Sequence, residues 1–204
     1  MSRYTGPRLR VMRSLGVALP GLSSKMPERR PYPPGQHGPG RPKKPSDYRR
    51  QLQEKQKLRY NYGVGEKQFR RYMAKAKASK MAAGQKLLEL LERRLDNVVF
   101  RAGWAATIPA ARQMVNHGHI HVNGHRVDIP SYSVKPGDAI EIREKSRKLK
   151  MVEEALVDGN NAARVPGWLT VSGPNATVDS LPDRESVMVE IDVQLVVEYY
   201  AKRM

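Results

Sequence analysis

The stretch Ala111-Arg112-Gln113-Met114-Val115-Asn116-His117-Gly118-His119-Ile120-His121-Val122-Asn123-Gly124 changes its hydrophobic period at Gly118. Before Gly118, Ala111, Met114 and Val115 recur at helical spacing, so Arg112, Gln113, Asn116 and His117 are left to share a polar face. After it, Ile120 and Val122 alternate with His119 and His121, the period of a half-buried strand, and Asn123-Gly124 is a strong two-residue hairpin signal. Thr107 supplies an N-cap, Pro109 fits the first turn and Gly118 closes the helix. Arg126 to Ile129 reads as the return strand. A turn at Lys135-Pro136-Gly137-Asp138 leads to a further strand from Ala139 to Arg143. A helix feeding an antiparallel sheet makes the fold class α+β.

Working outward, Leu87, Leu91, Leu95 and Val98 or Val99 predict one helix from about Gln85 to Arg101, ended by Gly103. A module of two helices and a small antiparallel sheet thus spans residues 92–157 once a following helix, Lys148 to Val157, is included. Upstream, Ser46 caps a helix from Asp47 to about Tyr62, and Phe69, Met73, Tyr72 and Ala76 define a second from Glu66 to about Ala78. Residues 46–91 are the first part of a helical body. Residues 1–45 hold nine of the fifteen prolines and read as an extended basic N-terminal arm with no core of its own. Residues 158–204 are expected to return to the body through a loop, a strand at Ser186 to Ile191, and a segment from Val193 to Ala201 that suits helix or strand equally.

The chain carries 37 Lys and Arg against 20 Asp and Glu, a formal charge of +17. That excess asks for a polyanionic partner. Its distribution is directional: net +10, +7 and +5 over residues 1–50, 51–100 and 101–150, then −5 over 151–204. The first three blocks are expected to face RNA, while the acidic tail suits solvent or a basic protein neighbour. No apolar run is long enough for a membrane span and no secretory signal opens the chain, so neither a membrane partner nor export is expected. The absence of cysteine removes disulfides, thiolate metal sites and a cysteine nucleophile.

No phosphate-binding loop, nucleophile elbow or metalloprotease helix is present, so no catalytic residue, no enzyme activity and no cofactor are expected. His117, His119, His121 and His125 raise a metal hypothesis, but no carboxylate or thiolate completes a recognisable spacing, and RNA-facing or solvent histidines are the better reading. The expected RNA-binding residues begin in the arm with Arg3, Arg8, Arg10, Arg13, His37 and Arg41. Lys55, Lys57, Arg59 and Tyr62 follow, because cations beside aromatic rings and amides suit phosphates and unpaired bases. Arg70, Arg71, Arg94 and Arg101 continue the series along the helices. Arg112, Gln113, Asn116, His117, His119 and Asn123 form the recognition surface of the module.

The segments Arg94 to Arg101, Ala111 to Ile120, Val122 to Gly124, Asp128 to Tyr132 and Pro136 to Asp138 closely resemble the alpha-L RNA-binding module. Similar modules are appended to pseudouridine synthases and some tyrosyl-tRNA synthetases, so the module alone leaves an RNA-modifying or charging enzyme open. The flanks Ser2 to Pro7, Tyr32 to Gly38, Glu54 to Gly63 and Val196 to Tyr200 resemble the family of small ribosomal subunit protein four, of bacterial and plastid type, over nearly the whole chain. The resemblance implies a cytoplasmic or plastid ribosomal protein that binds small-subunit ribosomal RNA at a multi-helix junction and nucleates assembly of the subunit body. It also implies an influence on decoding accuracy with neighbouring proteins five and twelve and, in some members, repression of their own messenger RNA. Many members carry arm cysteines that look like a zinc site. Here Leu9, Val11, Met12 and Ser14 stand in that region, so no zinc is expected.

Overall fold

A computed structural model describes residues 4–28, 30–36, 38–40, 44–157, 164–201 and 203. They fold as two units, one of residues up to Leu87 together with Val189 onward, the other running from Leu88 to Met188. Helices and a small antiparallel sheet give the α+β class.

The first unit begins with α1 (Arg8–Leu15), inside the stretch expected to be an arm without a core. Val11 and Met12 on α1 pack with Leu19, Leu22 and Val189 into a small buried cluster, and Tyr60 rests against it. The proline count hid this element. Met12, Leu15, Leu19 and Leu22 repeat every three or four residues, and Gly16 at φ 68° ends the helix in the left-handed conformation.

α2 (Asp47–Asn61) starts where Ser46 accepts from the Arg49 amide, 3.3 Å away. α3 (Glu66–Lys77) turns Phe69, Tyr72, Met73 and Ala76 inward. The chain then enters α4 (Ala83–Glu92), which leads into the second unit. Asp192, accepting from the Gln194 and Leu195 amides, resolves the ambiguous C-terminus into a helix, α9 (Val193–Ala201). α9 packs along α2, with Glu198 accepting from Gln51 at 3.1 Å and Tyr200 stacked on Phe69. Its three valines did not make a strand because Asp192 starts a helix whose Val193, Val196 and Tyr200 fall on one buried face.

In the second unit, the single helix expected from Gln85 to Arg101 is two: α4 and α5 (Leu95–Arg101). The break sits at Arg94, which is extended (φ −71°, ψ 135°) and pairs with Ser133 as an isolated bridge. The Asp128-to-Tyr132 segment captures the first amides of α5: Leu95 donates to the Tyr132 carbonyl and Asp96 to that of Pro130. Helical periodicity continues through the break, so the leucine pattern alone could not show it.

α6 (Ile108–Asn116) is capped by Thr107 with Pro109 in the first turn. β1 (Ile120–Val122), β2 (His125–Arg126) and β3 (Ala139–Ile142) follow, and after a turn of helix α7 (Glu144–Arg147) comes α8 (Lys150–Val157). β4 (Leu169–Ser172) and β5 (Asn175–Val178) complete a five-stranded sheet in the order β2-β1-β3-β5-β4, antiparallel throughout. Residues 164–188 therefore belong with this second unit. The return to the body expected from residue 158 begins only near Val189, and Ser186 to Ile191 forms no strand. Ile120, Val122, Ile140, Ile142, Ala176 and Val178 are buried on the inner face of the sheet.

Candidate nucleic-acid interface

The segment containing the change of period presents the clearest surface. On α6, Ala111, Met114 and Val115 are buried while Gln113 and Asn116 are exposed and Arg112 is half-buried. His117, at the C-cap, is exposed. His119 follows at the start of the sheet, its ring 5.9 Å from that of His117 and its Nδ1 2.9 Å from the Ser146 hydroxyl. Gly118 lies between them at φ 70°, and a Cβ there would stand 2.3 Å from Nε of Arg126. Glycine is required there by the left-handed backbone, while the flexible Arg126 guanidinium lies over it. Arg126, exposed on β2, and Arg143, exposed just after β3, add two cations beside the histidines. Strand register could have revealed both: His121 pairs with Arg126, and the Arg143 amide donates to the His119 carbonyl.

Burial holds the pKa of His119 below the ordinary imidazole value, and the charges of His117 and Arg143 depress it further. The imidazole is thereby favoured in its neutral form. Asn123 plays another part. Its amide donates to Asp138 at 2.9 Å and its carbonyl accepts from the Ala139 amide at 2.8 Å, so the exposed residue ties the hairpin to the turn before β3. His121 lies 3.6 Å from Glu141, and among the described residues no cluster could hold a metal ion.

Arg94 and Arg101 do not reach the surface. Arg94 is 1% exposed and donates two bonds to Asp96, Nε to Oδ1 at 2.9 Å and Nη2 to Oδ2 at 2.5 Å. Arg101 is 3% exposed and pairs with Glu92, which also accepts from Asn97 at 2.7 Å. The charges of the Arg94-to-Arg101 segment thus hold the break between α4 and α5. They are corrected from RNA contacts to an internal network, since a buried guanidinium must keep its carboxylate.

In the first unit the expected cluster divides. Lys55 is 3% exposed, 2.9 Å from Glu66 and over the ring of Tyr199, and Tyr62 is buried in the core. Neither side chain is exposed to meet RNA. Burial would raise the Glu66 pKa, but the bonds from Lys55 and the Tyr200 hydroxyl outweigh it and hold the carboxyl below its ordinary value. Lys57 pairs with Glu54, and Arg59 lies over Tyr60 while donating to Gln56; both remain partly exposed. Arg70 and Arg71 are exposed on α3, as are Arg8 and Arg10 on α1, and Arg13 is half-exposed. Arg3, His37 and Arg41 lie outside the described residues. Val11 and Met12 are buried in the α1 cluster and, with Leu9 and Ser14, offer no zinc ligand set.

The family model described as Ribosomal protein S4/S9 N-terminal domain matches residues 3–92, and that described as S4 domain matches residues 93–140. Proteins named small ribosomal subunit protein uS4 are similar over the full length of both chains: 54% identical in Methylobacillus flagellatus and 55% in Rippkaea orientalis. The relative in Geobacillus kaustophilus is 49% identical over 99% of this chain. The chain belongs to the uS4 family. Membership decides between the two readings the module left open: the uS4 relatives are named as ribosomal proteins, not as modifying or charging enzymes, and this chain is a structural protein of the small ribosomal subunit. The boundary between the two uS4 matches, at residues 92 and 93, falls at the end of α4, beside the Arg94 break.

Proposed function

We propose that the chain binds small-subunit ribosomal RNA through two basic surfaces, one on each unit, and nucleates assembly of the subunit body at a multi-helix junction. The observation that carries this reading is the exposed set Gln113, Asn116, His117 and Arg126 with the half-buried Arg112 and His119, all on the module's α6–sheet junction. Amides and imidazoles there can read edges and sugars, while guanidiniums meet phosphates. On the first unit the contacts come from Arg8, Arg10, Arg13, Lys57, Arg59, Arg70 and Arg71. An influence on decoding accuracy beside proteins five and twelve, and repression of its own messenger RNA, extend the same reading. The exposed acids Asp179, Asp183 and Glu185 of the second unit suit a basic protein neighbour.

Binding of full-length variants to small-subunit ribosomal RNA tests the reading. Arg112→Ala is expected to weaken binding about tenfold, the effect of one lost charge-assisted contact. The Lys57→Ala, Arg59→Ala pair is also expected to weaken it, though Glu54 and Gln56 already engage those side chains. Wild-type affinity in both variants would reject these assignments.

The pH dependence has a definite sign. The free-state pKa of His119 lies below about 6.5, and a phosphate beside the imidazolium raises it, so binding takes up a proton. Affinity should strengthen as pH falls from about 8 to about 6, and His119→Gln should flatten the slope. The same depressed pKa lowers fold stability as pH drops below about 6.5, because the unfolded chain then binds the extra proton. Binding that weakens on acidification in this window would contradict the placement of His119 at RNA.

A further inference from the structure

Within the first unit, α1 and the loops that follow it form an open cavity of about 400 Å³ lined by Leu9, Arg10, Arg13, Met26, Pro27, Arg30, Pro34 and Gly35. The volume falls in the range of small-ligand sites. Its walls are aliphatic, from Leu9, Met26, Pro27 and Pro34, while its only ionisable lining groups are three guanidiniums. Arg13 is fixed as part of the wall: Nε donates to the Tyr32 carbonyl at 3.0 Å and the guanidinium lies 5.0 Å from the Tyr32 ring centre. Arg10 and Arg30 are exposed, and among the described residues neither side chain has a hydrogen-bond or ion-pair partner. Met26 is 56% and Leu9 38% exposed, so apolar surface is displayed at the mouth and is not part of the α1 core.

We infer that this cavity receives one unstacked nucleotide of the bound RNA, its base against Leu9, Met26 and Pro27 and its flanking phosphates on Arg10 and Arg30. The inference rests on the RNA-binding reading above and gives it a specific contact. An apolar slot suits the face of a base, which every unpaired nucleotide can offer, and free guanidiniums at its rim suit the backbone on either side. Charge complementarity selects a polyanion over an apolar peptide, because a peptide segment would leave two cations without partners.

The test uses the full chain, small-subunit ribosomal RNA and base-specific chemical probing. Met26→Asp puts a carboxylate at the mouth without touching the buried cluster, and Met81→Asp adds the same charge at a methionine 50% exposed and outside the cavity. Met26→Asp is expected to weaken binding by about 5- to 100-fold, the range for loss of one base contact, and to expose one unpaired base while other protections persist. Arg10→Gln should expose the same base. Met81→Asp should expose none. Identical protection maps for Met26→Asp and Met81→Asp, in variants with wild-type melting temperature, would overturn the assignment. So would saturation of the cavity by free AMP with no change in the RNA protections. Absence of any protection by the wild-type chain would instead reject RNA binding itself.

Discussion

Raising salt from 50 to 200 mM should lower the affinity of the full chain for small-subunit ribosomal RNA by about 10³- to 10⁵-fold, if six to ten phosphates are contacted. Each phosphate neutralised by Lys or Arg releases condensed counterions, so log affinity falls linearly with log salt. The exposed cations are enough to make that number: Arg8, Arg10, Arg70, Arg71, Arg126 and Arg143 are exposed, and Arg13, Lys57, Arg59 and Arg112 partly so. Lys55, Arg94 and Arg101 do not contribute, because each is buried beside a carboxylate. Neutralising an exposed cation should therefore reduce the slope by about one. A slope near zero in filter binding or fluorescence titration would show that the charge of +17 does not act on RNA.

The second large effect is on stability. Asp96→Ala should destabilise the chain by about 3–5 kcal/mol, because it strips both carboxylate bonds from a buried Arg94. Asp96 also accepts from the Asn97 amide in the first turn of α5, where a negative charge favours the helix. The melting temperature of the transition involving the second unit should fall by more than about 10 °C. Replacing both residues with apolar ones of similar volume should recover much of the loss, since a well-packed apolar pair avoids desolvating either charge. Calorimetry on the full chain reads both outcomes. A loss under about 1 kcal/mol for Asp96→Ala would show that the pair does not hold the α4–α5 break.

The change of period at Gly118 was legible because it rests on local geometry: α6, the Asn123-Gly124 turn and β3 lie where spacing, capping and turn residues put them, although the return strand is His125–Arg126 and not Arg126 to Ile129. Three features were not. The break at Arg94 depends on the Pro130 and Tyr132 carbonyls, more than thirty residues away, and the leucine repeat continues across it. α1 was hidden by nine prolines around it, although Met12, Leu15, Leu19 and Leu22 carried the period. The pairing of β5 with β3 joins residues more than thirty positions apart, which no local spacing specifies.

The candidate site divided for a related reason. A sequence shows where a cation is, but not whether a carboxylate meets it inside. Arg94 and Arg112 look alike in a charge count, yet one is sealed against Asp96 and the other lies on a helix face with Gln113 and Asn116 exposed beside it. Arg126 was overlooked because its role appears only when the hairpin folds it over Gly118. The motif most characteristic of the module, Arg94 to Arg101, builds the scaffold, and the less charged segment from Arg112 to His119 offers the surface.

Chemical protection of naked small-subunit ribosomal RNA by the wild-type chain and by Gln113→Ala, Asn116→Ala, His117→Ala combined tests the central claim most directly. Protection confined to a folded junction, with one contiguous subset lost in the triple variant and the rest retained, is the predicted result, because one RNA-binding surface is proposed on each unit. Protection spread evenly over the RNA, or a map unchanged by the triple variant at equal saturation, would contradict it.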